Sequence, residues 1–266
     1  MRYFVPDIVL NAPSKSGGGL LRRHFGEKSE ISPPAIEFEE KLGGLPYGLP
    51  SQLWPTCEDC GKSQSFLAQF KHHVERLDLG AEGRAIYIFQ CDHDPGMCQT
   101  WDTNSGANAC VVVNQEDFLA SVTPLPNDNP PIENCVGVSR WISKDDGIAP
   151  EVARLFYSQQ CLDTVDLTII EKVTYSTRLG GVPSWIQSAD DSPGKNWRFL
   201  GQLDSLYSFL TPPDRSEKWI SEDRAQSEGR THIGQGPNFG DIGIAYLFAK
   251  EGTEGGIAVK MFWQCS

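Results

Sequence analysis

Four cysteines have the spacing needed to hold a metal ion. Cys57 and Cys60 are separated by two residues and followed by Gly61, which permits the tight turn of a zinc knuckle. The second pair, Cys91 and Cys98, lies further along the chain, with six residues between its members. Structural zinc sites bind the ion with four protein groups, often all thiolates. The sequence therefore predicts one Zn²⁺ ion bound by these four cysteines.

Two other interpretations of this region are open. His93 offers an alternative ligand, which would give a site of three cysteines and one histidine. A redox-active pair at Cys57 and Cys60 is disfavoured, because no strand-then-helix pattern flanks it. A catalytic zinc keeps an open position that four thiolates do not leave, so no catalytic residue is assigned. The remaining cysteines are predicted to be core residues: Cys110, Cys135, Cys161 and Cys265.

Strands are the elements expected to position these cysteines. Runs rich in β-branched and aromatic residues predict strands at 84–90, 109–113, 136–142, 166–175 and 257–264. The first of these strands ends directly before Cys91, as in a zinc ribbon. A short helix is expected within 149–161. Frequent turn signals between the strands predict an α+β fold that is mainly antiparallel β.

The two halves of the chain share three motifs in the same order. These are a Gly-Gly-x-Pro turn, an apolar strand that ends in Gln, and a strand centred on Tyr. The matched segments are 42–46 with 179–183, 66–69 with 199–202, and 85–89 with 244–248. Three ordered matches predict two related repeats that share one core.

These motifs divide the chain into four segments. Residues 1–41 lack a periodic pattern and are predicted to be an N-terminal extension, with a flexible connector at 14–19. Residues 42–120 form a first repeat that carries the zinc knuckle. Residues 121–177 begin with a proline-rich stretch and are predicted to be a linker and insert. Residues 178–266 form the second repeat.

An acidic and aromatic groove in the second half is the leading candidate for a binding site. The residues assigned to it are Trp185, Gln202, Asp204, Asp241 and Trp263. Core and turn positions are nevertheless the favoured interpretation of these residues, and a structural role is favoured for the glutamine that ends each apolar strand. The sequence shows no nucleophile–base set and no phosphate-binding glycine loop, so an enzyme is not predicted.

The chain is acidic, with 35 Asp and Glu residues against 23 Lys and Arg residues and a formal net charge of -12. A field of this sign repels phosphate backbones, so we expect no nucleic-acid partner. It favours a basic protein partner or simply provides solubility. No apolar stretch reaches the length of a membrane span, and the first residues do not resemble a secretory signal. The protein is therefore expected to be cytoplasmic and not bound to a membrane.

The motifs resemble those of the YwqG-like domain family, whose function is unknown. The resemblance covers roughly residues 42–102 and 178–263. Five motifs carry it: Leu-Gly-Gly-Leu-Pro at 42–46, Phe-Leu-Ala-Gln at 66–69, Gly-Gly-Val-Pro-Ser-Trp at 180–185, Phe-Leu-Gly-Gln-Leu-Asp at 199–204 and Phe-Gly-Asp-Ile-Gly at 239–243. YwqG-like domains are also suspected in toxin–immunity systems, which implies an immunity protein as an alternative function.

The half that contains the cysteines also resembles the N-terminal part of the programmed cell death 2 proteins. The shared features are the Gly-Gly-x-Pro turn, the Cys-x-x-Cys-Gly knuckle at 57–61, the Phe-Leu-x-Gln strand and an aromatic strand that leads to further cysteines. Members of that group act as chaperones for a basic ribosomal protein. The resemblance implies a zinc-stabilised protein-binding module with a basic partner, and an enzyme of undetected type stays a further alternative.

Overall fold

The computed structural model describes residues 1–10, 38–133, 135–194, 196–210, 231–240 and 242–266. The strands are β1 (Arg2–Leu10), β2 (Lys41–Leu42), β3 (Ser65–Lys71), β4 (Ala85–Gln90), β5 (Asn108–Val113), β6 (Val136–Asp145), β7 (Arg178–Gly180), β8 (Arg198–Asp204), β9 (Leu206–Leu210), β10 (Thr231–Gln235), β11 (Gly243–Glu251) and β12 (Ile257–Cys265). The helices are α1 (Gln159–Leu162) and α2 (Leu167–Ile170), together with short 3-10 helices at Ser51–Leu53, Gln115–Asp117, Ala153–Tyr157, Ala189–Asp191 and Thr253–Gly255.

All of these strands belong to one sheet. Its order is β12-β11-β8-β7-β1-β6-β2-β3-β4-β5, and β9 pairs with β1 and with β10. The strand pairs are antiparallel except for one contact of β1 with β9, at Val9 and Leu210. The expectation of a mainly antiparallel β fold is therefore confirmed. So are the strands expected at 84–90, 109–113, 136–142 and 257–264, which correspond to β4, β5, β6 and β12.

The sheet bends back on itself, so that its two end strands β5 and β12 contact each other. This curvature encloses a central core to which both halves contribute. Its members include Leu42, Leu67, Ile86, Leu179, Leu200 and Leu247. Successive side chains of a strand point to opposite faces, so each central strand also supplies a second, outward-facing cluster. In β4 the outward residues are Ala85, Tyr87 and Phe89, and in β11 they are Ile244, Tyr246 and Phe248.

The first half holds its Gly-Gly-x-Pro turn through a buried glutamine. Gln69 of β3 lies opposite Lys41 of β2 on one side and opposite Tyr87 of β4 on the other. The Gln69 Oε1 atom accepts a hydrogen bond of 2.8 Å from the Tyr47 amide. The Tyr87 hydroxyl donates to the Tyr47 carbonyl at 2.8 Å, and the Lys41 ammonium donates to the Leu45 carbonyl. These bonds pin the segment 45–47 against the sheet.

The second half has the same contacts at the corresponding places. Gln202 of β8 lies opposite Arg178 of β7 and opposite Tyr246 of β11. The Gln202 Oε1 atom accepts from the Ser184 amide at 3.1 Å, and the Tyr246 hydroxyl donates to the Ser184 carbonyl at 2.7 Å. The Arg178 guanidinium donates to the Val182 carbonyl. The turn of the second half is therefore fixed by the same kinds of side chain as the first.

Helices are few and short. The expected helix within 149–161 corresponds to the 3-10 helix Ala153–Tyr157 and to α1. The predicted strand at 166–175 is wrong, because this segment forms α2. The Asp166 carboxylate accepts a hydrogen bond of 2.8 Å from the Thr168 amide and thereby caps the helix start. Across the part of the chain that the structure describes, every helix is too short or too polar to cross a membrane.

Two segments outside the predicted repeats supply central strands. The predicted extension, 1–41, contributes β1, and the predicted linker and insert, 121–177, contributes β6. These two strands pair with each other along their length and lie between β7 and β2. They therefore join the two halves into one sheet. The connector expected at 14–19 lies outside the described residues.

Candidate metal centre

The four predicted ligand cysteines converge on one point. Cys57 and Cys60 lie in the turn that precedes β3, Cys91 directly follows β4, and Cys98 lies in the connection between β4 and β5. Their sulfur atoms all lie within 4.8 Å of one another. Cys57, Cys91 and Cys98 are buried, and Cys60 is half-buried. The group can hold a metal ion, as the sequence predicts.

Each cysteine pair lies in a tight turn. The Cys57 amide donates to the Lys62 carbonyl at 2.8 Å, and the Gly61 amide donates to the Cys57 carbonyl at 2.9 Å. Gly61 has a φ of 72°, a left-handed conformation that glycine adopts without strain. In the second turn, the Cys98 amide donates to the Asp94 carbonyl at 3.2 Å. These turns bring sulfurs that are far apart in sequence to one place.

Burial sets the protonation of most of these thiols. Burial raises the pKa of Cys91 to about 12, although the His93 amide donates a hydrogen bond that opposes this shift. Burial also raises the pKa of Cys98. Burial opposes ionisation of Cys60 as well, but hydrogen bonds from the Lys62 amide and the neighbouring thiols lower the pKa of Cys60 below its usual value. A metal ion that binds here must therefore displace thiol protons, and its positive charge would stabilise the buried thiolates.

The geometry distinguishes between the interpretations left open by the sequence. The His93 ring contacts the Ser63 carbonyl through Nε2 at 3.0 Å, and His93 is not a member of the cluster. The Cys60 and Cys91 sulfurs are 3.6 Å apart, well beyond the length of about 2.05 Å in a disulfide. All cysteines of the chain are free thiols. The candidate site is therefore an all-thiol site.

The cysteine turns also organise the residues around them. The Glu58 amide donates to the Gly106 carbonyl at 3.2 Å, and the Gln99 amide donates to the Asp59 carboxylate at 2.7 Å. We call residues 91–106, which connect β4 to β5, the metal loop. These bonds attach the metal loop to the first cysteine turn, the same two segments that a metal ion bound by the four cysteines would join.

The metal loop also reaches the other half of the protein. The Trp263 indole nitrogen on β12 donates to the Thr100 hydroxyl at 3.1 Å, and the rings of Trp101 and Trp263 pack edge to face with centroids 6.1 Å apart. The Lys260 ammonium donates to the Asn104 side chain at 2.6 Å. The conformation of the metal loop therefore affects the protein surface where β5 and β12 meet, both on the loop and on β12.

The residues assigned to the speculative groove do not all come together. Gln202 is fully buried and bonds to Ser184, as described above. Trp185 packs on Tyr246, with ring centroids 4.6 Å apart, and its indole nitrogen donates to the Phe156 carbonyl. Asp204 ends β8 and accepts from the Leu206 amide at 2.9 Å. These three residues make structural contacts, in agreement with the core and turn alternative.

Of the four groove candidates that the structure describes, Trp263 borders a large cavity, the groove beside the metal loop. Asp241 lies outside the described residues. The sequence interpretation missed Trp101, Asp102 and Asp191, which line the same groove. A local signal was present for Trp101 alone, because it follows the predicted ligand Cys98 by three residues.

Two half-buried acids, Asp92 of the metal loop and Glu133, give a prediction about pH. Burial and the charge of Asp92 raise the pKa of Glu133 from 4.5 to about 7. Between pH 4.5 and 7, the folded state therefore holds a proton that the unfolded state has released. Glu133 contributes its full stability below pH 4.5, and this contribution is lost as the pH rises to 7. Glu133→Gln is expected to raise the unfolding midpoint relative to wild type progressively between pH 4.5 and 7, as measured by thermal melts.

The exposed Glu116, replaced by Gln, is the control for this titration. It removes one acidic group from an exposed position, so it measures the effect of net charge alone over this range. If the midpoint of Glu133→Gln follows that of Glu116→Gln at every pH, the proposed titration of Glu133 is incorrect.

Comparisons with known proteins found no relative of this chain. No family model matches the chain, and neither a curated protein nor a solved structure matches it. Function must therefore be argued from the cysteine cluster and from the surfaces next to it.

Proposed function

We propose that this protein is a zinc-stabilised protein-binding module and that it is not an enzyme. The observation that carries the proposal is the convergence of four thiols within 4.8 Å. Four soft sulfur ligands suit Zn²⁺, which structural sites hold in tetrahedral geometry. Four protein ligands leave no position for water or substrate, so the ion stabilises the fold and takes no part in chemistry. Free thiols throughout the chain favour a reducing compartment such as the cytoplasm.

The finer fold assignment is part of this proposal. We infer that the halves are two related repeats in a YwqG-like arrangement, with the segments bounded as the sequence predicts. Support comes from the register, in which Gln69 faces Lys41 and Tyr87 as Gln202 faces Arg178 and Tyr246. The glycine pairs at 43–44 and 180–181 all have positive φ. The metal centre belongs to the first repeat alone.

Exposed apolar side chains on the metal loop support a protein-binding role. Met97 is 72% exposed and Trp101 is 42% exposed, and both flank the buried Cys98. Large apolar residues held at a surface by a rigid loop are typical of protein interfaces. The net charge of -12 favours a basic partner, as expected for a chaperone-like protein, and disfavours nucleic acid.

The first test is the metal content of the purified protein. We expect about one zinc ion per chain, because the described residues contain one cluster of this kind. Mass spectrometry of the intact folded protein and elemental analysis both measure this quantity. Protein purified without chelators that contains no zinc would contradict the proposal.

The second test identifies the partner. Affinity capture from the native cell, with mass spectrometry, compares wild type with Trp101→Ala, which removes an exposed apolar side chain of the metal loop. A basic protein that is lost with the variant supports the proposed function. A toxin among the captured proteins supports the immunity alternative instead. Recovery of the same proteins by both forms would show that the metal loop is not the interface.

A further inference from the structure

A groove of about 450 Å³ lies between the metal loop and the end of β12. One wall is formed by Trp101, Asp102 and Thr103, and the other includes Phe262 and Trp263. Asp191 of the 3-10 helix Ala189–Asp191 contributes a second carboxylate. The groove thus joins the metal-bearing half to the other half, and its volume is in the range of sites that bind a small ligand or a few side chains.

The groove is lined by two acidic residues and, among the described residues, by no basic one. Asp102 accepts a hydrogen bond of 2.7 Å from the Asn104 amide, and Asp191 accepts one of 2.7 Å from the Gln264 side chain. Both donors are neutral. Among the ion pairs of the described residues, none includes Asp102 or Asp191. The two side chains therefore lack a cationic partner within the described part of the protein and suit a cation from outside.

The aromatic residues of the groove are held in place. The hydrogen bond from Trp263 to Thr100 and the edge-to-face packing of Trp101 on Trp263 fix both indoles. A fixed indole face attracts a cation through its ring electrons.

We propose that this groove binds an arginine side chain from a basic segment of a protein partner. A guanidinium is planar, so it stacks on an indole while its several N–H groups donate to carboxylates. A lysine ammonium is compact and strongly hydrated, and it matches this combination less well. The inference rests on the proposed protein-binding function and specifies the chemistry that the partner must present. The acidic surface of the whole chain accelerates the approach of such a segment.

The test uses the metal-loaded full chain and two peptides of identical length. One peptide is Gly-Gly-Arg-Gly-Gly with both ends capped, and the other has citrulline, a neutral isostere, in place of arginine. Calorimetry and tryptophan fluorescence measure the affinities. We expect the arginine peptide to bind at least about tenfold more tightly, the factor that corresponds to one charge-assisted hydrogen bond. Equal affinity for the two peptides would overturn the proposal without any variant of the protein.

Two protein variants locate the binding. Asp102→Asn and Asp191→Asn are each expected to lower the affinity for the arginine peptide by about tenfold. The affinity for the citrulline peptide should stay unchanged. The control, Glu116→Gln, removes one negative charge from the exposed 3-10 helix Gln115–Asp117 and should retain wild-type affinity. If the control weakens binding as much as the groove variants do, the attraction is a general effect of charge and the groove is not the site.

The outcomes separate this inference from the proposed function. If a captured protein partner stays bound to the Asp102→Asn and Asp191→Asn variants, the protein-binding function stands and the groove assignment fails. If the arginine peptide binds with the expected specificity but no partner is captured, the groove assignment stands and the proposed function loses its support.

Discussion

Cys57→Ala is expected to release the metal ion and to lower the midpoint of thermal unfolding by roughly 8–16 °C. A metal ion present at about a thousandfold excess over its dissociation constant stabilises the folded state by about 4 kcal/mol, and this contribution disappears with the site. The remaining thiols, Cys60, Cys91 and Cys98, stay close together without a compensating cation. We expect the turn before β3 and the metal loop to become sensitive to proteases, while β8, β11 and β12 stay folded.

Cys110→Ala is the matched control for this variant. Cys110 lies on β5 and packs against the central core, and it is not part of the cysteine cluster. The Cys110→Ala protein should keep its zinc and lose only the packing of one sulfur atom. Zinc content and melting midpoint, measured together, distinguish the two cases. A Cys57→Ala protein that keeps its zinc and its wild-type midpoint would falsify the assignment of the knuckle as the metal centre.

The metal centre could be predicted because its parts are local. The Cys-x-x-Cys-Gly spacing at 57–61 defines one turn, and the strand-like sequence at 84–90 shows that Cys91 lies at a strand end. The number of residues between Cys91 and Cys98 is unusual for a zinc ribbon, but the turn at 94–98 absorbs them. Local spacing thus determined the ligands, and the sheet placed the two pairs next to each other.

Strand β1 was not predicted because its segment lacks a periodic pattern, and it also contains a proline. Pro6 removes an amide donor, and proline in a strand normally indicates an edge. In the structure, β1 pairs with β7 at Tyr3 and Phe4 and with β9 at Val9. Pro6 lies in the interval between these contacts, where β6 is the only neighbour of β1 among the described residues. The proline is tolerated because of long-range topology, which the local sequence does not contain.

The groove could not be predicted for a similar reason. Trp101 and Trp263 are separated by more than half of the chain, and they meet because the curved sheet brings β5 next to β12. Curvature results from strand twist and core packing summed over the whole sheet. The sequence grouped Trp263 with Trp185 and Asp204 in one speculative groove; in the structure Trp263 lines the groove beside the metal loop, whereas Trp185 and Asp204 make structural contacts elsewhere.

The buried glutamines give the second large effect, because each is the polar centre of its half. Gln202→Met is expected to lower the free energy of unfolding by about 2–5 kcal/mol, since each buried group left without a partner costs about 1–3 kcal/mol. In wild type, Gln202 Oε1 accepts from the Ser184 amide, and Gln202 Nε2 donates to the Ser176 carbonyl at 3.1 Å and to the Ser184 hydroxyl at 2.7 Å. Methionine has a similar volume but supplies none of these bonds.

Gln69→Met makes the equivalent change in the first half and should destabilise the protein in the same way but by less. Gln69 bonds to the Tyr47 amide and to the Glu39 carbonyl at 2.7 Å, and Tyr47 is only half-buried, so water can replace part of what is lost.

Gln52→Met, at an exposed position of the 3-10 helix Ser51–Leu53, should change stability by less than about 0.5 kcal/mol. Urea unfolding measures all three variants. Comparable stability of Gln202→Met and Gln52→Met would show that the buried glutamines do not hold the two turns, and the proposal of two related repeats would lose its main structural support.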